Sequence, residues 1–149
     1  MCSNLKTIKL PSTLKEINNF AFASCILLTD IELPDSLLTI GNDAFIGCRS
    51  LKSINLPDSV YSIGKSAFED CIELEKIYLP ISITALNTDE ENPFKGCTSL
   101  TDVYYGGTEN QWDAIKEELK SSLTSTVVHF NAKKSRNFSY SRCKLRWLN

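Results

Sequence analysis

The sequence is poor in the residues that most site chemistry requires. Among 149 residues there is a single histidine, His129, with one methionine, two tryptophans and six glycines. Any Ser-His-Asp or Cys-His set would have to pass through His129, which reads as a neutral surface or edge residue of a closing strand, so no enzyme activity is expected. Close cysteine pairs are missing too: no two of the six cysteines lie nearer than 23 residues, whereas zinc sites draw on pairs such as C-x₂-C. There is no Gly-rich phosphate loop, and no metal or cofactor is expected. No apolar run approaches the roughly 18 residues of a membrane span. The amino terminus lacks a charged start followed by an apolar stretch, so no signal peptide is expected in this chain. Acids are absent from residues 131–149, which hold six bases; residues 1–130 hold all 18 acids and 10 bases. The formal charge of −2 therefore divides into −8 and +6.

What is present is a globular balance, 42% hydrophobic and 23% charged, which excludes disorder of the whole chain. One domain or one compact array of this size buries roughly 68–70% of its surface.

The cysteines stand at 2, 25, 48, 71, 97 and 143, so the first four are 23 residues apart and the fifth follows after 26. Aligned on them, the chain repeats itself. Leu5, Leu28, Leu51, Leu74 and Leu100 share one position, and Ile8, Ile31, Ile54, Ile77 and Val103 another. Leu10, Leu33, Leu56 and Leu79 follow, each before a proline (Pro11, Pro34, Pro57, Pro80). Then come Leu14, Leu37, Val60 and Ile83, next Ile17, Ile40, Ile63 and Leu86, and each copy closes on Phe22, Phe45, Phe68 or Phe94.

Within one copy, Ile-x-Leu alternates with period two and predicts a short strand, which proline ends because it cannot donate to a ladder. The next apolar pair, such as Val60 and Ile63, predicts a second extended segment. Gly41 and Gly64, with Asn18 and Asn87 in other copies, suit a turn of positive φ. Ser66-Ala67-Phe68-Glu69-Asp70-Cys71 reads as one helical or 3₁₀ turn that drops alanine and phenylalanine inward. One such coil has no core. Stacked at roughly 4.8 Å, successive coils bury their Leu, Ile and Phe rows against each other.

Thr108-Glu109-Asn110-Gln111 matches a capping box. The helix it opens would set Trp112, Ile115 and Leu119 on one face, with Asp113, Lys116, Glu117 and Glu118 elsewhere. Thr126-Val127-Val128-His129-Phe130 predicts a final strand beside the fifth coil. The expected organisation is repeats over 2–105, a cap over 106–130, and a basic tail over 131–149. The tail would suit nucleic acid or a membrane surface, but it matches neither repeat nor cap and reads as a disordered tail. Its Asn137-Phe138-Ser139 sequon has no support beyond the triplet. No amino-terminal cap precedes Cys2, which predicts either end-to-end self-association there or a distal piece of a longer protein.

The pattern Cys-x-x-Leu-x-x-Ile-x-Leu-Pro-x-x-Leu-x-x-Ile-Gly-x-x-Ala-Phe resembles the BspA-type leucine-rich repeat over residues 2–105. The segment from Val103 to Trp112 resembles the closing segment of bacterial members. The resemblance implies an α/β leucine-rich-repeat solenoid: a right-handed coil of short parallel β-strands with 3₁₀ or helical turns and a short capping helix near the carboxy terminus. It also implies a secreted or cell-surface protein, with adhesion to host or matrix proteins. Thr13, Ser36, Ser59 and Ser82 stand where related repeats carry asparagine, so no asparagine ladder is expected.

In the stack, the first five cysteines form an inward column of buried free thiols, and Cys143 is the thiol expected to be exposed. Asp89, Glu90, Glu91 and Asn92 would form a solvated loop or, less readily, a weak calcium site. What remains is surface. Two outward rows are expected on the strand face: Thr7, Asp30, Ser53, Lys76 and Asp102, and beside them Lys9, Glu32, Asn55, Tyr78 and Tyr104. These make a slightly concave platform for a protein or glycan ligand. Tyr78 and Tyr104 would serve it as anchors, or else pack beside the cap against Trp112. The alternative is a purely structural spacer or terminal cap of a longer surface protein.

Overall fold

The computed structural model describes residues 2–83, 85–86, 92–115, 119, 123 and 125–133. The expected acidic loop at 89–91, Asn87, Cys143 and the tail beyond 133 lie outside the described residues.

Each coil turns three corners. On the first side lie β3 (Ser53–Asn55), β5 (Lys76–Leu79), β7 (Asp102–Tyr105) and β8 (Val127–His129), paired in that order and all parallel. In the first two coils this side narrows to a single parallel bridge, Lys9 to Glu32. A second parallel sheet joins β1 (Glu16–Ile17), β2 (Thr39–Ile40), β4 (Ser62–Ile63) and β6 (Ala85–Leu86). Its register steps by one repeat, Ile17 to Ile40 to Ile63 to Leu86. Strands of two to four residues are what a proline after each Leu permits.

The third side holds the expected turns without a continuous helix. These are three-residue turns, such as Cys25 N to Phe22 O (3.2 Å). Every second amide, however, reaches the next coil: Phe20 N to Asn42 O, Phe22 N to Ala44 O and Ser24 N to Ile46 O (2.7–3.1 Å). The same alternation recurs at Asp43, Phe45 and Gly47. It is a sharply bent third ladder, and two left-handed residues per coil bend it. Phe20, Asp43 and Ser66 occupy one such position (φ 59, 55 and 49°), and Ser24, Gly47, Asp70 and Gly96 the other (φ 56, 69, 57 and 75°).

Positive φ is therefore not the business of Gly41 and Gly64. A Cβ on Gly64 would lie 2.5 Å from the backbone N of Asn42 and the carbonyl carbon of Gly41; on Gly41 it would lie 2.7 Å from Asn19 N. These glycines are required because consecutive coils touch there backbone to backbone.

The core is a set of columns along the axis. Leu28, Leu51 and Leu74, Ile54 and Ile77, and Ile40 and Ile63 are buried. Phe22, Phe45, Phe68 and Phe94 stack nearly parallel with centroids 5.0, 5.2 and 5.5 Å apart. Coil one, with a neighbour on one side, leaves Leu5, Ile8, Leu10 and Leu14 half-buried.

Side chains tie the corners. Ser36, Ser59 and Ser82 each donate Oγ to a carbonyl one coil earlier, on Leu14, Leu37 and Val60 (2.5–2.6 Å). Serine thus fills the place of the asparagine ladder expected to be missing. A short asparagine ladder nevertheless exists at the next corner: Asn19 Oδ1 accepts from Asn42 N (2.8 Å), and Asn42 Oδ1 from Lys65 N (3.0 Å).

At the far end Thr108 opens α1 (Glu109–Trp112), one turn long, with Gln111 Oε1 accepting from Thr108 N at 2.9 Å. Trp112 and Leu119 are buried and Ile115 half-buried, while the helix itself ends at Trp112. Trp112 packs on Tyr105, centroids 5.3 Å apart. After β8 the chain turns at Asn131 (φ 54°) and is held by Asn131 N to Gly107 O and Ala132 N to Tyr105 O.

Candidate interaction surface

The strand face is built by alternation. Ile54, Ile77 and Val103 point inward and are fully buried, so their neighbours point out. From the third coil on, both expected rows are in register, and in the first two coils one bridge continues the second row. Ser53 pairs with Lys76 and Lys76 with Asp102; Asn55 pairs with Tyr78 and Tyr78 with Tyr104; Lys9 bridges Glu32. β8 extends the rows by Val127 beside Asp102 and His129 beside Tyr104. Thr7, Lys9, Asp30 and Glu32 are exposed; Ser53, Asn55, Lys76, Asp102 and Tyr104 are partly covered.

Tyr78 departs from expectation. It is 3% exposed and is no surface anchor. Its hydroxyl donates to Asp58 Oδ1 at 3.0 Å, and the backbone of Gly106 passes close enough that a Cβ there would lie 2.9 Å from that hydroxyl. Trp112 lies on Tyr105.

His129 is the residue the sequence reading left out of the platform. Its ring lies flat on Tyr104, centroids 4.4 Å apart and planes 10° off parallel. Its Nε2 is 2.7 Å from Asp102 Oδ1, while Thr101 Oγ1 donates to Asp102 Oδ2 at 2.9 Å. The signal was available: with Val128 inward in a closing strand, the next residue must face outward beside Tyr104.

The cysteine column is a set of free thiols. Cys25, Cys48, Cys71 and Cys97 are buried and Cys2 is exposed. Cys48, Cys71 and Cys97 donate Sγ–H to the carbonyls of Phe22, Phe45 and Phe68 (3.1–3.3 Å). Burial pushes the Cys48 and Cys97 thiols up to about 12 and raises those of Cys25 and Cys71 as well. These groups are held protonated, which suits a donor and not a nucleophile or metal ligand. Among the described residues no three His, Cys, Asp or Glu side chains converge on a metal-sized site. Asn92 turns inward, its Oδ1 accepting from Phe94 N at 2.8 Å.

Residues 1–114 match the family described as BspA type leucine-rich repeat region, with six copies. No curated protein matches the chain. Among solved structures, a leucine-rich repeat protein from Bacteroides ovatus ATCC 8483 is 38% identical over 70% of this chain and 26% of its own, with a TM-score of 0.62. The T. pallidum leucine-rich repeat protein is 33% identical over 80% of this chain and 60% of its own (TM-score 0.63). A leucine rich cell surface protein from Faecalibacterium prausnitzii A2-165 is 33% identical over 74% and 34% (TM-score 0.57). The chain thus spans between a quarter and three fifths of these proteins. A 23-residue repeat, two parallel sheets wound by the same coils and the match over 1–114 lead to one assignment: the chain belongs to the BspA-type leucine-rich repeat family.

Proposed function

We propose that the chain is a non-enzymatic interaction module of a secreted or cell-surface protein, binding a protein or glycan ligand on its strand face. The observation that carries this is the register of the outward rows. From Ser53 and Asn55 to Val127 and His129, the residues of these rows stand strand beside strand on a backbone whose inward residues Ile54, Ile77 and Val103 are buried. A surface so fixed costs little entropy to bind with. The likeness to a protein described as a cell surface protein supports the location.

The test is a binding screen of the chain against extracellular matrix proteins and glycans, followed by Lys76→Ala with Tyr104→Ala. Loss of affinity by about tenfold or more with an unchanged circular dichroism spectrum is expected. Unchanged affinity would sink the platform. A second reading, a spacer or terminal unit of a longer surface protein whose activity lies elsewhere, is favoured by the small share of the solved relatives that this chain spans.

A further inference from the structure

The carboxy-terminal end of the platform has a chemistry the rest lacks. Tyr104 and His129 sit in register on adjacent strands with their rings face to face. Ring faces stacked along the axis cannot be offered to a ligand above the sheet. What points outward is ring edge. The inner face of His129 is spent on Tyr104, and the other face of Tyr104 turns toward β5, where Tyr78 stands in register. Within this row a sugar docking by its C–H face finds only the outer face of His129, since both faces of Tyr104 turn to neighbouring strands.

The outward edge is rich in acceptors. The Asp102 carboxylate uses one lone pair on His129 and one on Thr101, out of about four it offers. In the tautomer that donates Nε2–H to Asp102, Nδ1 is left as an acceptor. The side chains of His129 and Asp102 are 20% and 26% exposed, partly shielded from water yet reachable. Lys76 stands in register next to Asp102, and among the described residues it makes no ion pair with it. Such an edge fits a group that only donates. Guanidinium does so, planar, with five N–H donors and a preference for carboxylates and ring neighbours.

We propose that Asp102, Tyr104 and His129 form a recognition site for an arginine side chain of a basic protein segment. This rests on the platform reading above and names the partner class for it: a protein and not a glycan.

The test titrates the full chain with labelled hexa-arginine, hexa-lysine and cellohexaose. Hexa-arginine should bind, hexa-lysine should bind at least about threefold more weakly, and cellohexaose should not bind. Asp102→Asn should weaken hexa-arginine about tenfold. Lys76→Glu, which sets a second carboxylate beside the first, should tighten it about fivefold, so a gain is read even where the Asn variant folds poorly. The joint change Asp30→Asn with Glu32→Gln, at the other end of the platform, should alter it less than about twofold. An equal loss in that control would reduce the effect to diffuse attraction by an acidic solenoid and overturn the site. Cellohexaose binding lost in Tyr104→Ala would overturn it too. A screened ligand that depends on Lys9 or Asn55 but not on Asp102 overturns this site and leaves the platform standing. Indifference to every platform change overturns both.

Discussion

Gly64 has little freedom to change. An added methyl would meet backbone atoms of the preceding coil at 2.5 Å, and backbone cannot swing aside. Gly64→Ala is expected to destabilise the array by about 2 kcal/mol or more, measured by urea unfolding. Ser66→Gly, at a position of φ 49°, should be close to neutral or stabilising in the same assay. The cysteines give a pH dependence. In the unfolded chain Cys48 and Cys97 ionise near their ordinary value of 9.0, whereas in the fold burial holds them at about 12. Their raised values mean that the unfolded state gives up protons first as pH rises. The associated stability is whole below about pH 9 and falls away toward pH 12. Urea midpoints at about pH 8 and about pH 10.5 should show the loss, and Cys48→Ala should flatten it.

At the scale of the element, the ladders at the corners matter more than the two-residue strands they connect. Ser59 Oγ reaches both Leu37 O (2.5 Å) and Asp35 O (2.8 Å), so Ser59→Ala should cost about 1 kcal/mol, read from thermal unfolding. The apolar columns, the strand face and its rows were legible in the sequence because period two and a 23-residue spacing fix which side chains point together. The bend of the third side was not. Phe20, Asp43 and Ser66 share a left-handed backbone without sharing a residue type, so composition carries no mark of it. The burial of Tyr78 was equally hidden, because what covers it is the Gly106 backbone arriving from the next coil and Asp58 from the previous one. Alternation gives the side of a strand, and only packing says whether that side is covered.

Taken whole, the molecule is a column whose stability is set by neighbours on either side. Phe68 has a ring above and a ring below and is fully buried; Phe22 has one ring partner and is 9% exposed. Phe68→Ala is therefore expected to cost about 3–5 kcal/mol, and Phe22→Ala measurably less, in parallel urea titrations. An equal cost would mean that the coils do not couple along the axis.

The fourth coil carries three residues more than the others, yet beyond the extra length the columns resume. Phe94 still stacks on Phe68 at 5.5 Å, and Cys97 still donates to the Phe68 carbonyl at 3.1 Å. Length added between Leu86 and Asn92 is not passed on to the next strand. Evolution, or a protein engineer, thus has one vertex of each coil at which to lengthen the chain or graft a new loop while the opposite face keeps its pattern. Ligand specificity on the strand face and decoration at the corner can change independently, as two separate dials on one frame.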